Sequence, residues 1–282
     1  MKVGRISGPG KGKTNEDCSL AVEFAFNKGE ELLIFNLYIV ADGMGGHQAG
    51  DLASQLAVST ITTVILETLL RLDQEKQVVS IEKVLRSAIQ QANSAIYQKA
   101  VKSPALKGMG TTITMAFMVN NYVYIGHVGH SRAYIYHSNE HRLEVLTKDH
   151  TVAGKLLSAN KITPQEAASH PKANVLTRAL GVAEDVEVDT IKVMFEPEDM
   201  FLLCTDGLTK LMTDDELAKI LKATKEYQTH PQKTCYAFDS LTRRLNRQDD
   251  VTVVVCEVDK ISSAQVSTST HQDLLAALDD VS

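Results

Sequence analysis

The stretch "IVADGMGGHQAG", residues 39–50, ends an apolar run with an aspartate and then places four glycines among eight residues. The preceding run "LLIFNLYIVA" (32–41) has the length and composition of a buried strand, so Asp42 stands where a strand enters a loop. A carboxylate next to a core is costly unless it is paired, and glycines let a backbone approach a ligand closely. The stretch therefore predicts a strand end that presents oxygen ligands to a site.

Acidic residues recur where other predicted strands meet loops. They are Glu16 and Asp17 before "CSLAVEFAF" (18–26), Asp206 after "MFLLCT" (200–205), and Asp249 and Asp250 before "VTVVVCEV" (251–258). One such aspartate alone is usually only part of a turn. Several carboxylates that meet beside a core repel one another and normally hold cations. Oxygen ligands suit Mg²⁺ or Mn²⁺, and no cysteine and histidine set has zinc spacing, so the set favours a magnesium or manganese site.

Groups of strands and pairs of helices follow one another along the chain. The predicted strands are 18–26, 32–41, two within 111–129, one or two within 131–147, 186–194, 199–206 and 251–258, and the predicted helices are 52–70, 80–100, 213–224 and 231–247. Residues from 151 to about 181, after "KDH", are predicted to be irregular and helical. This order predicts an α+β fold with antiparallel sheets and helices on the outside, rather than alternating βαβ units.

The segment 80–100 has a helical apolar period, with Ser80 as its predicted N-cap. Its predicted core face is Ile81, Val84, Leu85, Ala88, Ile89, Ala92 and Ile96. The segment 52–70 is long enough to span a bilayer, but its serines, threonines and Glu67 favour a buried helix of a soluble protein. One side of each helix is therefore expected to face a core.

Composition excludes several other classes of protein. The 282 residues are 44% hydrophobic and 23% charged with a net charge of −6, and lysines and arginines are scattered, which argues against nucleic-acid binding and against anionic membranes. Four cysteines lie far apart, as in a reduced cytoplasmic protein, and the N-terminus lacks a signal-peptide pattern. Residues 259–282 are polar and predict a flexible tail. A monomer is the default expectation.

The motifs "TNED", "VADGMGGH", "GMGTT", "HVGHSRAY", "LTKDH", "LTRALG", "CTDGL" and "DDVTVVV" occur in this order between residues 14 and 255. This set resembles the PP2C (PPM) family of metal-dependent Ser/Thr protein phosphatases, in particular its bacterial branch. The resemblance implies a central β-sandwich of two antiparallel sheets flanked by pairs of helices. It also implies a domain over residues 1–258 with a flap at about 151–190.

The resemblance also implies a site with two Mn²⁺ or Mg²⁺ ions. By motif position, Asp42 bridges both ions, the Gly43 carbonyl binds one, Asp206 and Asp249 bind the other, and Glu16 and Asp17 hold bound waters. In this family a metal-bridging water or hydroxide attacks the phosphorus of phosphoserine or phosphothreonine, and two cations activate such a water and neutralise phosphoryl charge. Cys204 lacks a C-x5-R phosphate loop and is expected to pack in the core. Targets of a Ser/Thr kinase are the partners that the resemblance implies.

Three positions depart from the family pattern. Gly12 stands where the family usually has a phosphate-binding arginine, and the flanking Lys11 and Lys13 offer only point charges. His130 in "GHSR" replaces an aspartate associated with a third ion, and Lys210 stands where another acid often helps to hold that ion. A third Mg²⁺ is therefore expected to bind poorly, although a neutral imidazole still suits Mn²⁺. Our hypothesis is that Lys210 or His130 partly replaces the missing cation.

These departures leave three functions open. The first is an active phosphatase with weakened phosphate affinity, the second is a pseudophosphatase that binds phosphoproteins or partners, and the third is a hydrolase of small phosphate esters. His47 is interpreted as a structural or supporting residue, and Met44 occupies the place of the candidate acid histidine of the animal enzymes. Four residues that match family positions are expected to tie loops together: Arg132, Asp149, His150 and Arg178.

Overall fold

The computed structural model describes residues 1–28, 31–45, 48–75 and 80–259. His47 and the predicted tail beyond Asp259 lie outside these residues. The strands are β1 (Lys2–Gly8), β2 (Cys18–Lys28), β3 (Glu31–Ala41), β4 (Gly43–Met44), β5 (Gly110–Thr111), β6 (Ile113–Val119), β7 (Tyr122–Val128), β8 (Arg132–His137), β9 (Arg142–Val145), β10 (Asp189–Met194), β11 (Met200–Cys204) and β12 (Val251–Glu257). The helices are α1 (Gln48–Glu75), α2 (Ile81–Lys102), α3 (Val152–Ser158), α4 (Pro164–Ala168), α5 (Asp206–Thr209), α6 (Asp214–Glu226) and α7 (Pro231–Arg244), with a 3-10 turn at Pro104–Leu106.

Two five-stranded antiparallel sheets face each other. One has the order β1-β12-β11-β8-β9, the other has the order β10-β7-β6-β3-β2, and β4 pairs with β5 as a short separate ribbon. Every paired neighbour runs antiparallel. The α+β prediction is confirmed, and β2 pairs with β3, the next strand along the chain.

Central strands are apolar throughout because both of their faces are covered. In β3, Leu37 and Ile39 pack towards α1 and α2, whereas Tyr38 and Val40 pack between the sheets. In β12, alternate valines pack against α6 and α7 while Val254 enters the space between the sheets. Three apolar cores therefore separate four layers, helices–sheet–sheet–helices.

Helix α2 buries nearly the predicted face. Ile81, Leu85, Ala88, Ile89, Ala92 and Ile96 are buried together with Asn93, and Val84 packs at the margin. Ser80 is the N-cap residue, but its hydroxyl donates to Glu82 Oε2 at 2.6 Å rather than accepting from a backbone amide. Asn93 is retained in the core because its amide donates to the carbonyls of Ala183 and Glu184. This polar residue fastens the chain that leads into β10.

Helix α1 contains a stretch, Ala49–Arg71, that is long and apolar enough to cross a membrane by length and composition. Here one face of α1, including Ala53, Ala57 and Ile61, packs into the core beside α2. The helix begins at Gln48, four residues before the predicted start, because the chain turns into it directly after the glycine-rich loop.

The sequence analysis missed one edge strand. Strand β1 carries glycines and charges that weaken its strand pattern, yet it pairs along its whole length with β12. Its last residue, Gly8, lies opposite Val251, so the loop that follows β1 starts beside the aspartates that precede β12.

Candidate metal centre

Loops from both sheets bring three metal-ligating side chains together. Asp42 follows β3, His130 lies between β7 and β8, and Asp206 opens α5 directly after β11. Ligand atoms of these three side chains all lie within 4.8 Å of one another. The predicted convergence of strand-end carboxylates is therefore present, with an imidazole among them.

The His130 ring lies between the two carboxylates. Its Nε2 is 3.2 Å from Asp206 Oδ2, and its Nδ1 is 3.9 Å from Asp42 Oδ2. Only 12% of the side chain is exposed. Burial lowers the pKa of His130 in spite of the neighbouring acids, so the neutral imidazole, which can act as a ligand, is favoured.

Lys210 joins the same group of charges from α5. Its ammonium lies 2.6 Å from Asp206 Oδ2 and donates to Asp249 Oδ2 at 2.8 Å. Burial alone would lower the pKa of Lys210, but the two carboxylates reverse that effect and raise it above the ordinary value. Burial likewise acts to raise the pKa of Asp249, but the hydrogen bond and charge of Lys210 bring it below its usual range. The protein thus carries a permanent cation between Asp206 and Asp249.

Two further carboxyl groups, those of Asp42 and Asp17, are buried where a negative charge is costly without a counter-ion. Burial, followed by the charges of Asp17, Asp206 and Asp249, raises the pKa of Asp42 well above its usual range. Burial also raises the pKa of Asp17 to about 7, and the nearby charges of Asp250 and Asp206 add to this effect. Asp17 Oδ2 accepts from Thr205 Oγ1 at 2.9 Å, whereas its buried Oδ1 has no hydrogen-bond partner among the described residues.

Adjacent aspartates before β12 have different environments. Asp250 is buried, and its two oxygens accept the backbone amides of Gly10 at 2.8 Å and Glu16 at 2.7 Å. Asp249 is half exposed and faces Lys210. Asp250 therefore ties the N-terminal loop to the site, while Asp249 lies at the surface of the site in an ion pair with Lys210.

Glycines allow the loop after β3 to pass through a crowded region. A Cβ on Gly43 would overlap the carbonyls of Gly50 and Glu16, and a Cβ on Gly50 would overlap the Glu16 carboxylate. These are close contacts between protein atoms, and the approach of a ligand to this backbone stays a prediction. Glu16 is packed over the first turn of α1 in consequence.

The rim of the site carries the segment expected to contact phosphate. Gly12 has a left-handed φ of +72°, and no atom lies within 4 Å of a Cβ placed on it. Lys13 Nζ lies 3.6 Å from Asp249 Oδ1, and the Lys11 amide donates to the Arg247 carbonyl at 3.3 Å. Both lysine side chains are exposed beside the acids.

The side chains expected to tie loops together do so. Arg132 donates two hydrogen bonds to Asp149, at 2.9 and 2.8 Å, and Arg178 donates to Asp189 at 2.6 Å. The His150 amide donates to the Gly129 carbonyl at 2.6 Å, and His150 Nδ1 accepts from the Gly129 amide at 3.1 Å. This pair of bonds fixes the loop that presents His130.

Two threonines of "GMGTT" hold the backbone of Asp42, a role that the sequence analysis did not assign. The Asp42 carbonyl accepts from the Thr112 amide and from Thr111 Oγ1, each at 2.9 Å. Asp42 N donates to Thr112 Oγ1 at 3.2 Å. The adjacent small hydroxyl residues were the available signal, but their partner is about 70 residues away in the chain.

A groove of about 850 Å³ leads from the centre towards α3 and α4. His130, Asp206 and Lys210 line one end, and Ala167 and Asn174 line the other. Residues between 151 and 174 thus line part of the space next to the metal-ligating side chains.

Comparisons with known proteins agree with this architecture. The sequence profile described as "Protein phosphatase 2C" matches residues 10–253. The serine/threonine phosphatase stp of Listeria monocytogenes is 40% identical over 223 residues, which cover 79% of this chain and 84% of that protein. The chain belongs to the protein phosphatase 2C family.

Solved structures of protein phosphatase 2C relatives extend the match to three dimensions. The serine/threonine phosphatase PstP/Ppp of Mycobacterium tuberculosis has a TM-score of 0.74 at 30% identity, covering 92% of this chain and 99% of that one. The catalytic domain of PstP in complex with two manganese ions has a TM-score of 0.71 at 29% identity, covering 92% and 98% of the two chains. The four-layer fold is therefore that of the family.

The donor set of this protein phosphatase 2C member fits divalent cations. Asp17 is 7% exposed and has an unpartnered carboxylate oxygen, and three further acids lie near it. A divalent ion would offset the mutual repulsion of these groups, which one lysine only partly does. Manganese or magnesium is the family cofactor that these oxygen ligands suit.

Proposed function

We propose that this chain is a metal-dependent protein phosphatase that hydrolyses phosphoserine and phosphothreonine. The observation that carries the proposal is the convergence of Asp42, Asp206 and Asp249 around a buried, incompletely paired set of carboxylates. The names of the relatives, serine/threonine phosphatases, support the same substrate class.

The residues of the centre have separate proposed roles in holding the metal ions and water. Asp42, the Gly43 carbonyl, Asp206 and Asp249 would hold the two ions, and Asp17 and Glu16 would hold water next to them. When bound, two divalent ions activate water and neutralise charge on a phosphoryl group. The protein orients the centre through Asp250 and Thr112, which fix the loops on either side of it.

A thiol nucleophile is a poor alternative. Cys204 lies two residues from Asp206 but is fully buried, and burial raises the pKa of its thiol to about 12. A buried thiol of this kind forms almost no thiolate near neutral pH and cannot reach a substrate. The sequence expectation that Cys204 packs in the core agrees with its place among the apolar side chains under α6 and α7.

The catalytic domain is proposed to span residues 1–258, with 151–190 as a flap and 259–282 as a tail. The flap lines the groove beside the centre, which supports a role in binding protein substrates. Phosphoproteins, including targets of a Ser/Thr kinase, are the proposed partners. Four unpaired cysteines support a cytoplasmic location, and a net charge of −6 argues against nucleic-acid binding. A monomer is proposed as the default state.

The alternative is a phosphoprotein-binding module without turnover. Lys210 between Asp206 and Asp249 and the missing arginine at Gly12 are the observations that favour it. The relatives are named as enzymes and support the active phosphatase instead. The weakened activity expected from Gly12, His130 and Lys210 has no support in those names.

The deciding experiment compares hydrolysis of p-nitrophenyl phosphate and of a phosphothreonine peptide with Mn²⁺ and with EDTA. We expect turnover that needs metal, is lost in Asp42→Asn and is retained in Asp215→Asn, a matched change at an exposed position on α6 outside the flap. Turnover that survives EDTA would exclude the metal mechanism. Manganese binding without turnover would establish the binding module.

A further inference from the structure

We propose that the imidazole of His130 is a direct ligand of a divalent ion shared with Asp42 and Asp206. We further propose that this nitrogen ligand makes the centre select Mn²⁺, or another transition metal such as Fe²⁺ or Co²⁺, over Mg²⁺. The inference deepens the proposed function, because it concerns the same centre, but it is tested by metal binding rather than by turnover.

The spacing of the ligand atoms allows an ion to contact all three side chains. His130 Nδ1 and Asp42 Oδ2 are 3.9 Å apart, and metal–nitrogen and metal–oxygen bonds are each about 2.1 Å long. An ion between these two atoms therefore requires little movement of either. Asp206 Oδ2 lies 3.2 Å from Nε2, and one ligand atom from each of the three side chains lies within 4.8 Å of the other two.

The ring has a nitrogen that the protein does not satisfy. His130 Nδ1 is buried and has no hydrogen-bond partner among the residues that the structure describes, and Asp42 Oδ2 lies 3.9 Å from it. A buried lone pair that faces carboxylate oxygen is unfavourable, and a cation between the two removes that cost. Asp17 Oδ1, buried and unpartnered in the same cluster, is a second observation of the same kind.

The backbone holds this ring in place for such a role. The His150 side chain and amide both bond Gly129, the residue before His130, and Ser131 Oγ lies 2.8 Å from Thr112 Oγ1 on the other side. Thr112 also bonds the Asp42 backbone, so His130 and Asp42 are fixed to one another through a single side chain. A ligand that is held in position before the metal arrives loses little freedom on binding.

Ligand chemistry then sets the selectivity. Magnesium prefers oxygen ligands and binds imidazole poorly, whereas imidazole suits Mn²⁺, Fe²⁺ and Co²⁺ increasingly well along the first transition row. An aspartate at this position would offer another oxygen and favour magnesium. Replacing an aspartate oxygen with the His130 nitrogen as one ligand of the ion is therefore expected to raise the ratio of manganese to magnesium affinity.

Pulsed EPR on the full-length protein, titrated with one to three equivalents of Mn²⁺, tests the ligand directly. We expect nitrogen hyperfine coupling from an imidazole in the unaltered protein and its loss in His130→Asp and His130→Gln. His137→Gln, at the far end of β8, is the matched control and should keep the coupling. Bound manganese without nitrogen coupling, or coupling that persists in both His130 variants, would overturn the inference.

Calorimetric titrations of Mn²⁺ and Mg²⁺ test the selectivity. His130→Asp should lower the ratio of manganese to magnesium affinity by about tenfold or more. His130→Gln removes the nitrogen without adding charge and separates ligand loss from electrostatics. An unchanged ratio in both variants, with circular dichroism showing a folded protein, would contradict the inference. A protein that binds no Mn²⁺ at all would instead refute the proposed function.

Discussion

Lys210 donates a 2.8 Å hydrogen bond to Asp249 while its ammonium lies 2.6 Å from Asp206. These are the two carboxylates proposed to hold the same ion. The lysine thus acts as their counter-ion in the metal-free protein. A divalent ion must move this ammonium aside or bind against its charge.

Replacing Lys210 with methionine should therefore strengthen metal binding. A like charge a few ångströms away costs a bound cation on the order of 1 kcal/mol even with solvent screening, so we expect manganese affinity to rise about fivefold. The metal-free protein should lose thermal stability because Asp206 and Asp249 lose their partner. Calorimetry and thermal melts measure the two effects.

The control for this substitution is Lys219→Met, which removes an equal charge from an exposed position on α6. It should change neither quantity. An unaltered manganese affinity in Lys210→Met would show that the lysine leaves the carboxylates freely when metal arrives.

Asp17 and Asp250 are both buried but should respond oppositely to replacement by asparagine. Asp17→Asn should raise the melting temperature of the metal-free protein, because it removes a buried carboxylate with an unpartnered oxygen, while it weakens manganese binding. Asp250→Asn should lower stability with or without metal, by about 1–3 kcal/mol, because one of its oxygens no longer accepts a backbone amide. Thermal melts with EDTA and with Mn²⁺ measure both.

The outcome that would contradict this assignment is a fall in metal-free stability for Asp17→Asn equal to that for Asp250→Asn. Asp17 would then be a structural residue, held by Thr205 and needed for packing rather than for metal.

The layers of the fold could be predicted from the sequence because each rests on a local period. Strand β3 is apolar on both faces and is bounded by turn residues, and α2 repeats its apolar residues at helical spacing. Edge strand β1 was missed because Gly4 and Arg5 break its alternation, and its pairing partner is about 250 residues away. The local sequence of β1 does not indicate that this distant strand is its pairing partner.

The site was partly predictable for the same reason. Position at the ends of predicted strands identifies Asp42, Asp206 and Asp249 as candidates. The roles of their neighbours depend on tertiary contacts. Nothing in "DDVT" distinguishes Asp249, which faces Lys210, from Asp250, which receives two backbone amides. Lys210 was recognised as a departure, but its position between two carboxylates needs the structure.

Gly12→Arg should lower KM for phosphorylated substrates with little change in kcat. A guanidinium makes two parallel hydrogen bonds to a phosphate in the ground state and in the transition state alike. It therefore stabilises both states equally, which lowers KM without raising kcat. The position is open, but its φ of +72° makes any side chain there cost about 1–2 kcal/mol. Gly12→Ala carries the same backbone strain without the charge and is the control. Unchanged KM in the arginine variant would mean that Lys11 or Lys13 already fills this role.

Stability should fall as the pH drops from about 6.5 to 4 because of His127. The ring is fully buried, with Nδ1 2.9 Å from Thr114 Oγ1 and Nε2 donating to the Lys148 carbonyl at 3.0 Å. Burial, and then the charge of the neighbouring His150, lowers the pKa of His127 to about 4, against the opposing charges of Asp149 and Asp189.

The direction of this stability change follows from the number of protons that the folded and unfolded states bind. Between pH 6.5 and about 4 the unfolded chain binds a proton at His127 that the folded protein excludes, so acid favours unfolding over that range. The stability lost is about 3 kcal/mol at the lower limit, given the size of the shift. Denaturant melts at several pH values in this range give the free energy of unfolding as a function of pH. That free energy should change less steeply with pH for His127→Gln than for the unaltered protein, whatever their absolute stabilities. His170→Gln should keep the original slope, and an equal slope in the His127 variant would show that the ring already carries its proton in the folded protein.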